Sequence, residues 1–342
     1  MFNKNLKYYR LKNDLTKAAL ASMVGVTPMA ITNYENGDRR PDMPTIKKLA
    51  QALGVRTTDF LAVRNSNLSF THGEFRMNSR LSQSKQEYIC ESVEEYFGRF
   101  YEVVELLGGE VLPAAPLLHG IPLTGDANVD GLRIREYLNV SSHGPVGNLI
   151  EILENNGILV FMLDIDSDGF NGMNGCVNGR PYIVIKKSMT SERIRTTIVH
   201  EIAHFAFQWP DNMTGKDIEK HATAVAGAFL FPKDDAIREL GLKRRAITTD
   251  MLMVCKEYGI SMSLLAVRAH LCKIINDSAY EMYFKRSGRN EGSYITFVEL
   301  PSLFEQLVYR AVNEDEISIQ KGAELLNKPY DQVAENCCFV GV

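Results

Sequence analysis

The segment His200-Glu201-Ile202-Ala203-His204 holds the residues whose types and spacing are best suited to chemistry. Residues four apart on a helix lie on the same side, so His200 and His204 can bind one Zn²⁺ through their imidazoles, at roughly 2.0–2.1 Å each. Glu201 adjoins the first histidine without being a ligand. There it can accept a proton from the attacking water and return it to the leaving amine. The pattern predicts a zinc-dependent peptidase.

A catalytic zinc site needs a third protein ligand, commonly a carboxylate on a following helix. Segment 218–232 contains two candidates, Glu219 and His221, which are two residues apart. The alanine and glycine residues of this segment would let a second helix pack closely against the first. The residue types alone leave both ligands open.

The elements that position these residues can also be predicted. Apolar residues recur at helical spacing from Ile194 to Phe205, which predicts a helix that ends before Pro210. Ile158 to Ile165 and Tyr182 to Lys186 are predicted strands, the second with Ile in the core and Tyr, Val and Lys outside. The polar stretch Asp168 to Gly179 between them is predicted to be a loop. A mainly helical domain with a small sheet follows.

Transition-state stabilisation usually needs a second electrophile besides the metal. The predicted helical region that follows the core supplies four candidates, and the sequence does not choose among them: Arg268, His270, Tyr280 and Tyr283. Arg268 and His270 are the candidate stabilisers that we predict.

The N-terminal region predicts a compact bundle of about five short helices between Asn3 and Leu61. Thr16 suits the N-cap of a second helix, which Gly25 ends, and Thr27 with Pro28 suits the start of a third. Residues 1–64 carry eleven Lys or Arg against five Asp or Glu, a charge of +6. Because the whole chain carries −4, the remainder carries −10. A contact with nucleic acid is therefore expected at the N-terminus.

The pattern from Leu20-Ala21 through Gly25-Val26-Thr27 and Ile31-Thr32 to Pro41 resembles the Cro/C1-type (XRE) helix-turn-helix family. The second helix of this arrangement enters the major groove of DNA. The resemblance implies DNA-binding residues of two kinds. Met29, Thr32 and Asn33 would face the bases, and Lys17, Arg39 and Arg40 would approach phosphates, with Lys17 also able to reach a base. Thr27, at the start of the helix, is a further candidate DNA-binding residue.

The central region resembles the ImmA/IrrE family of metallopeptidases, in which His-Glu-x-x-His is followed by Glu-x-x-Ala, a helix of small residues and Leu-x-Pro. By this resemblance Glu219 matches the glutamate ligand of the family, with His221 as the alternative. The resemblance implies Zn²⁺ as the cofactor and a helix-turn-helix repressor as the protein substrate.

The sequence thus predicts an α+β protein in four parts. Residues 1–64 form an all-α helix-turn-helix domain, 65–143 a helical connector, 144–286 a zincin-like metallopeptidase core, and 287–342 a helical extension. No apolar run approaches the roughly 18 residues of a membrane helix, and the N-terminus lacks a signal-peptide core, so a cytoplasmic location without membrane contact is expected. The six cysteines show no Cys-x-x-Cys spacing that would indicate a zinc knuckle.

The leading hypothesis is a DNA-binding zinc endopeptidase that cleaves a helix-turn-helix repressor or regulates its own operon. Operator DNA and the repressor would be its partners, and a homodimer is expected because such regulators commonly bind two half-sites. The alternative is a transcriptional regulator, or an antitoxin-like protein, whose zinc domain is sensory or structural and does not hydrolyse peptides.

Overall fold

The computed structural model describes residues 1–62, 67–73, 81–286, 293, 295 and 298–337. The elements of the first half are α1 (Phe2–Lys12), α2 (Lys17–Val24), α3 (Pro28–Asn36), α4 (Met43–Leu53), a 3₁₀ helix (Thr57–Leu61), β1 (Phe70–His72), α5 (Gln83–Leu106), β2 (Ile121–Pro122), α6 (Ala127–Tyr137), α7 (Leu149–Asn155), β3 (Leu159–Leu163) and β4 (Gly172–Val177). Those of the second half are β5 (Arg180–Lys186), α8 (Ser191–Ala206), β6 (Phe207–Gln208), α9 (Gly215–Leu230), α10 (Lys233–Leu240), α11 (Met251–Tyr258), α12 (Met262–Leu271), α13 (Asp277–Arg286), α14 (Leu303–Asn313), α15 (Ile319–Leu326) and α16 (Tyr330–Cys337).

The predicted α+β class is confirmed, because the N-terminal region is helical and the described chain combines many helices with a small mixed sheet. The chain divides into two compact units. One contains Met1–Phe70, Met77–Val111 and Phe304–Val342, and the other contains Thr71–Arg76 and Leu112–Leu303. The predicted four-part division stays a prediction. Within the described residues, no helix has the length and apolar character needed to cross a membrane.

In the first unit, α1 to α4 and the 3₁₀ helix surround one apolar core. Its buried residues include Leu6, Leu20, Ile31, Leu49 and Phe60. The turn between α2 and α3 forms as the sequence predicts: Thr16 and Thr27 accept hydrogen bonds from the amides of Ala19 and Ala30, and Gly25 takes a left-handed conformation with φ of 78°.

The long helix α5 and the C-terminal helices belong to this same unit. A stripe of apolar residues on α5 is buried, including Ile89, Val93, Phe97, Phe100 and Val104. The ring centroid of Phe304 lies 5.3 Å from that of Tyr96 and 5.6 Å from that of Phe100, so α14 packs on α5 through aromatic side chains.

In the second unit, a four-stranded sheet has the order β1-β4-β5-β3. Strand β5 runs parallel to β3 and antiparallel to β4, with Asn174 opposite Ile183. Helix α8 packs on β4 and β5, and α9 packs against both α8 and α6. The core between these elements contains Ile183 and Ile185 from the sheet, Ile198 and Ile202 from α8, and apolar residues of α9.

Two predictions about this sheet are wrong. The stretch 168–179 is not only a loop, because it contains β4. Asn178 and Gly179, with φ of 50° and 77°, form the turn of a β4–β5 hairpin, as expected for an Asn-Gly pair. Strand β5 does not expose its alternate side chains either. Tyr182 and Val184 are as fully buried as Ile183 and Ile185, so both faces of β5 are covered.

Two buried arginines hold the C-terminal end of α9. Arg135 of α6 donates from Nε to the carbonyl oxygen of Phe229 (2.7 Å), and Arg268 of α12 donates from Nε to that of Phe231 (2.9 Å). Both guanidinium groups are almost fully buried. They satisfy carbonyl groups that a helix end leaves without intrahelical partners, and their positive charge suits the negative end of the helix dipole.

A buried ion pair provides a test of the first unit. Arg10 and Glu35 are joined by two hydrogen bonds, of 2.5 and 3.0 Å, with both side chains at most 5% exposed. Glu35→Gln leaves the Arg10 charge buried without a carboxylate, so the free energy of unfolding of the N-terminal bundle should fall by about 3 kcal/mol or more. Amide hydrogen exchange in α1 and α3 of the full chain measures this change. Lys4→Met, which removes the more exposed Lys4–Glu94 pair, is the control and should have a much smaller effect. Equal exchange in both variants would contradict the assigned role of the buried pair.

Candidate metal centre

Helix α8 places His200 and His204 side by side. Its apolar face is buried in the core through Ile194, Ile198 and Ile202. The two histidines are one turn apart, with ring centroids 4.8 Å apart and Nε2 atoms 3.2 Å apart. Both side chains keep some exposure, so the pair stands where the buried helix meets solvent.

Helix α9 brings Glu219 to this pair. Oε2 of Glu219 lies 3.2 Å from Nε2 of His200, and Oε1 lies 3.4 Å from Nε2 of His204. Among the described residues, these three form the group whose ligand atoms are close enough together to hold a metal ion. Three ligands bound about 2.0–2.1 Å from a tetrahedral Zn²⁺ lie about 3.3 Å from one another. The observed triangle has this size, so the residues fit a zinc ion.

The hydrogen bonds around His200 also suit a metal ligand. Nδ1 of His200 lies 3.3 Å from the hydroxyl of Thr223, and that hydroxyl donates to the carbonyl oxygen of Glu219 at 2.9 Å. A hydroxyl that donates to a carbonyl can accept from Nδ1–H, which leaves Nε2 with its lone pair directed at the other two ligands. Burial acts to lower the pKa of His200, but the hydrogen bond to Glu219 and the charges of Glu201 and Glu219 outweigh it and raise that pKa.

His221, the alternative third ligand, has a different partner. Its Nε2 lies 2.8 Å from Oδ2 of Asp130, a fully buried carboxylate of α6 that also accepts hydrogen bonds from Thr124 and the amide of Gly125. The indole of Trp209 lies between the two histidine environments, with its ring centroid 6.1 Å from that of His204 and 6.0 Å from that of His221. The structure therefore brings Glu219 to the histidine pair and joins His221 to Asp130.

Glu201 is buried beside the cluster, with 8% of its surface exposed. Its Oε2 accepts a hydrogen bond of 2.8 Å from Nδ2 of Asn174 on β4. Burial raises the pKa of Glu201, while His200 and the Asn174 hydrogen bond act in the opposite direction and Glu219 adds to the increase. Sequence reasoning missed Asn174, because 168–179 was predicted to be a loop. The Asn178-Gly179 turn was the signal that could have placed it on a strand.

The candidate stabilisers of a transition state have other contacts. Arg268 donates to the carbonyl oxygen of Phe231 and to Asn128. Phe231 follows α9, twelve residues after Glu219, a separation of about 18 Å along a helix. His270 bonds to Asp277 through Nε2 at 2.7 Å, and its ring stacks on that of Tyr280 at a centroid distance of 4.4 Å. These contacts give Arg268, His270 and Tyr280 structural partners of their own.

The predicted DNA-binding residues lie on and around α3. Thr27 caps the helix, Met29 is 66% exposed, and Thr32 donates to the carbonyl oxygen of Pro28. Asn33 is half-buried on the same helix, and Arg39 and Arg40 follow it and are exposed. Lys17, at the start of α2, lies 3.7 Å from Oε2 of Glu35.

Comparison with known proteins matches two parts of the chain to families. Residues 6–60 match the helix-turn-helix family, and residues 153–270 match the IrrE N-terminal-like domain, a peptidase family. A helix-turn-helix transcriptional regulator derived from the SPbeta prophage of Bacillus subtilis, YonR, is 34% identical over 82 residues, which cover 24% of this chain and 69% of the relative. The Bacillus subtilis regulator YqaE is 39% identical over 67 residues, covering 20% of this chain and 57% of that protein.

Two further likenesses extend this comparison. The transcriptional repressor RstR of the cryptic phage CTXphi of Vibrio cholerae is 26% identical over 88 residues, covering 25% of this chain and 79% of the relative. A transcriptional regulator of Mycobacterium tuberculosis shares 13% identity with a TM-score of 0.31 over 57% of this chain and 54% of that chain, a score too low to indicate a common fold. The chain therefore belongs to the helix-turn-helix regulators of the XRE type and carries, in its central region, an IrrE N-terminal-like domain.

Proposed function

We propose that this regulator is a zinc-dependent endopeptidase that binds operator DNA through its N-terminal bundle and cleaves a helix-turn-helix repressor. One observation carries the peptidase part of the proposal: the triangle formed by His200, His204 and Glu219 has the dimensions of a zinc site, and a buried carboxylate, Glu201, lies beside it. A purely structural zinc site is closed by four protein ligands and has no use for an adjacent base.

Each residue has a defined task in this proposal. His200, His204 and Glu219 would hold the zinc ion, which when bound supplies Lewis-acid polarisation of the scissile carbonyl group and activates water. Glu201 would accept a proton from the attacking water and return it to the leaving amine. Asn174 would hold the Glu201 carboxylate in the orientation that this transfer requires, since its amide donates to Oε2. We assign no role to Arg268 or His270, because their contacts do not support one.

The DNA-binding part of the proposal follows from α3. Met29, Thr32 and Asn33 would face the base edges, while Arg39, Arg40 and Lys17 would contact phosphates. The relatives named as transcriptional regulators and as a phage repressor, together with the helix-turn-helix match over residues 6–60, support the proposal. A repressor substrate is the expectation that the resemblance to the ImmA/IrrE peptidases provides.

The choice of third ligand can be tested by zinc binding. Glu219→Ala removes a direct ligand and should weaken zinc binding by more than about 100-fold. Loss of a residue that only hydrogen-bonds to a ligand costs about 10–100-fold. His221→Gln keeps a donor for Asp130 and should change zinc affinity by less than about tenfold. Competition with a chromogenic chelator, with metal content measured on the purified proteins, gives both values. If His221→Gln loses zinc and Glu219→Ala retains it, the third ligand is His221.

The task of Glu201 can be tested by cleavage. Glu201→Gln should lower the rate of cleavage of a helix-turn-helix repressor substrate by about 10²–10⁴-fold, with zinc content unchanged. Asn174→Ala should give a smaller loss of about 10–100-fold, as for other groups that orient a site residue. Fragments are followed by mass spectrometry. Equal cleavage by wild type and Glu201→Gln would remove Glu201 from the mechanism. A gel shift that responds to a small molecule, without cleavage, would favour a sensory zinc domain.

The assigned DNA contacts predict two distinct effects. Arg39→Ala or Arg40→Ala should weaken binding to all sequences and reduce the slope of log K against log salt by about 1. Asn33→Ala should cost about 1–3 kcal/mol at one base position and relax specificity there. Fluorescence anisotropy between 50 and 200 mM salt, with a duplex selected from random DNA, measures both effects. Lys216→Ala, an exposed residue of α9, is the control, and a salt slope unchanged in Arg39→Ala and Arg40→Ala would contradict the phosphate contacts.

A further inference from the structure

The outer edge of β4 is covered by a segment of the chain itself. Strand β1 is the outermost strand of the sheet and only three residues long. Just after it, the backbone amide of Gly73 donates a hydrogen bond of 2.8 Å to the carbonyl oxygen of Asn174. The segment Thr71 to Gly73 therefore pairs, through backbone groups, with the strand that carries Asn174.

The covering segment and Asn174 share the face of the sheet that packs on α8, the helix that carries Glu201. Nδ1 of His72 lies 2.7 Å from the hydroxyl of Tyr182, on the face of β5 opposite Ile183 and Ile185, which contribute to the core with α8. Because side chains alternate along a strand, Thr71 and Gly73 lie on the opposite face of the sheet from His72, which is the face that packs on α8. Asn174 lies opposite Ile183 and donates its amide to Glu201. One residue thus contacts the covering segment through its carbonyl and Glu201 through its side chain.

Glycines bring the two backbones unusually close. A Cβ atom at Gly73 would lie 2.4 Å from the carbonyl oxygen of Asn174, and a Cβ atom at Gly175 would lie 2.6 Å from that of Thr71. Both carbonyl oxygens are backbone atoms, so a larger residue at Gly73 would force the strands apart. At Gly175 a larger residue would also meet the hydroxyl of Tyr182, at 2.3 Å. A sheet edge of this kind binds extended peptides through backbone hydrogen bonds, with little demand on their side chains.

We propose that Thr71 to Gly73 is an intramolecular block of the edge of β4, because it occupies the backbone groups with which an extended substrate segment would pair. This inference rests on the proposed peptidase function and deepens it. The substrate segment would pair with β4 beside Glu201, and the chain's own segment has to leave before it can do so. The apparent affinity for the substrate is then the intrinsic affinity multiplied by the fraction of molecules in which the edge is free.

The test measures peptide binding to the full chain in a Glu201→Gln background, so that the probe is not cut. The probe is a fluorescein-labelled peptide with the sequence of residues 67–73. Gly73→Ala introduces the 2.4 Å clash with Asn174, and His72→Ala removes the contact with Tyr182 without adding atoms. Both variants should bind the probe at least about tenfold more tightly than the parent. Gly147→Ala is the matched control, since a Cβ atom there meets nothing within 4 Å.

A second measurement separates this inference from the proposed function. Hydrolysis of fluorescein-labelled casein is compared between the parent, His72→Ala and Gly73→Ala, all with Glu201 intact. Amide hydrogen exchange of Gly172–Val177 reports whether the edge is uncovered. Tighter probe binding with faster exchange in His72→Ala and Gly73→Ala supports the inference whether or not casein is cut. Absence of hydrolysis of both casein and a helix-turn-helix repressor in all variants counts against the peptidase proposal. Probe affinity unchanged in both variants while exchange rises overturns the inference, even if casein is hydrolysed.

Discussion

Close packing between α8 and α9 is the constraint on which the candidate metal centre depends. Both helices contribute fully buried alanines to the core, Ala203 and Ala206 from α8 and Ala222 and Ala226 from α9. Small side chains allow two helix backbones to approach, and this approach lets a glutamate on one helix reach two histidines on the other. The distances of 3.2 and 3.4 Å from Glu219 to the histidines follow from that contact. The geometry of the candidate metal centre therefore depends on alanines that take no part in metal binding.

Much of this arrangement could be predicted from the sequence, and the remainder could not for identifiable reasons. The spacing of His200 and His204 is a property of a single helix, so it required no knowledge of the fold. The choice between Glu219 and His221 was different. Side chains two residues apart on a helix point in nearly opposite directions, and only the position of α9 against α8 and α6 decides which of them faces the histidines. The fully buried Asp130, more than ninety residues earlier, gives His221 its partner.

The sheet shows the same limit. Glycines occupy two of the six positions of β4, Gly172 and Gly175, where apolar side chains would normally indicate a strand, and their presence made the segment resemble a loop. A Cβ atom at Gly172 would lie 2.8 Å from Cγ2 of Thr197 on α8, and one at Gly175 would lie 2.3 Å from the hydroxyl of Tyr182, so the need for glycine comes from the neighbouring elements and not from β4 itself. Asn174 was missed with the strand, although it contacts the carboxylate that the sequence identified most directly. The error at β5 has a similar origin, because burial on both faces removes the alternation that was expected.

The two arginines at the end of α9 have a consequence for the geometry of the metal centre. Arg135 and Arg268 come from different helices and hold consecutive parts of the same helix end, at Phe229 and Phe231. Together these hydrogen bonds fix the position of α9 along its axis. A displacement of α9 by one residue along its axis, about 1.5 Å, would be enough to spoil a triangle whose sides are about 3.3 Å. The contacts at the C-terminal end of α9 therefore help to fix the position of Glu219 near its N-terminal end, and with it the distances between the metal ligands.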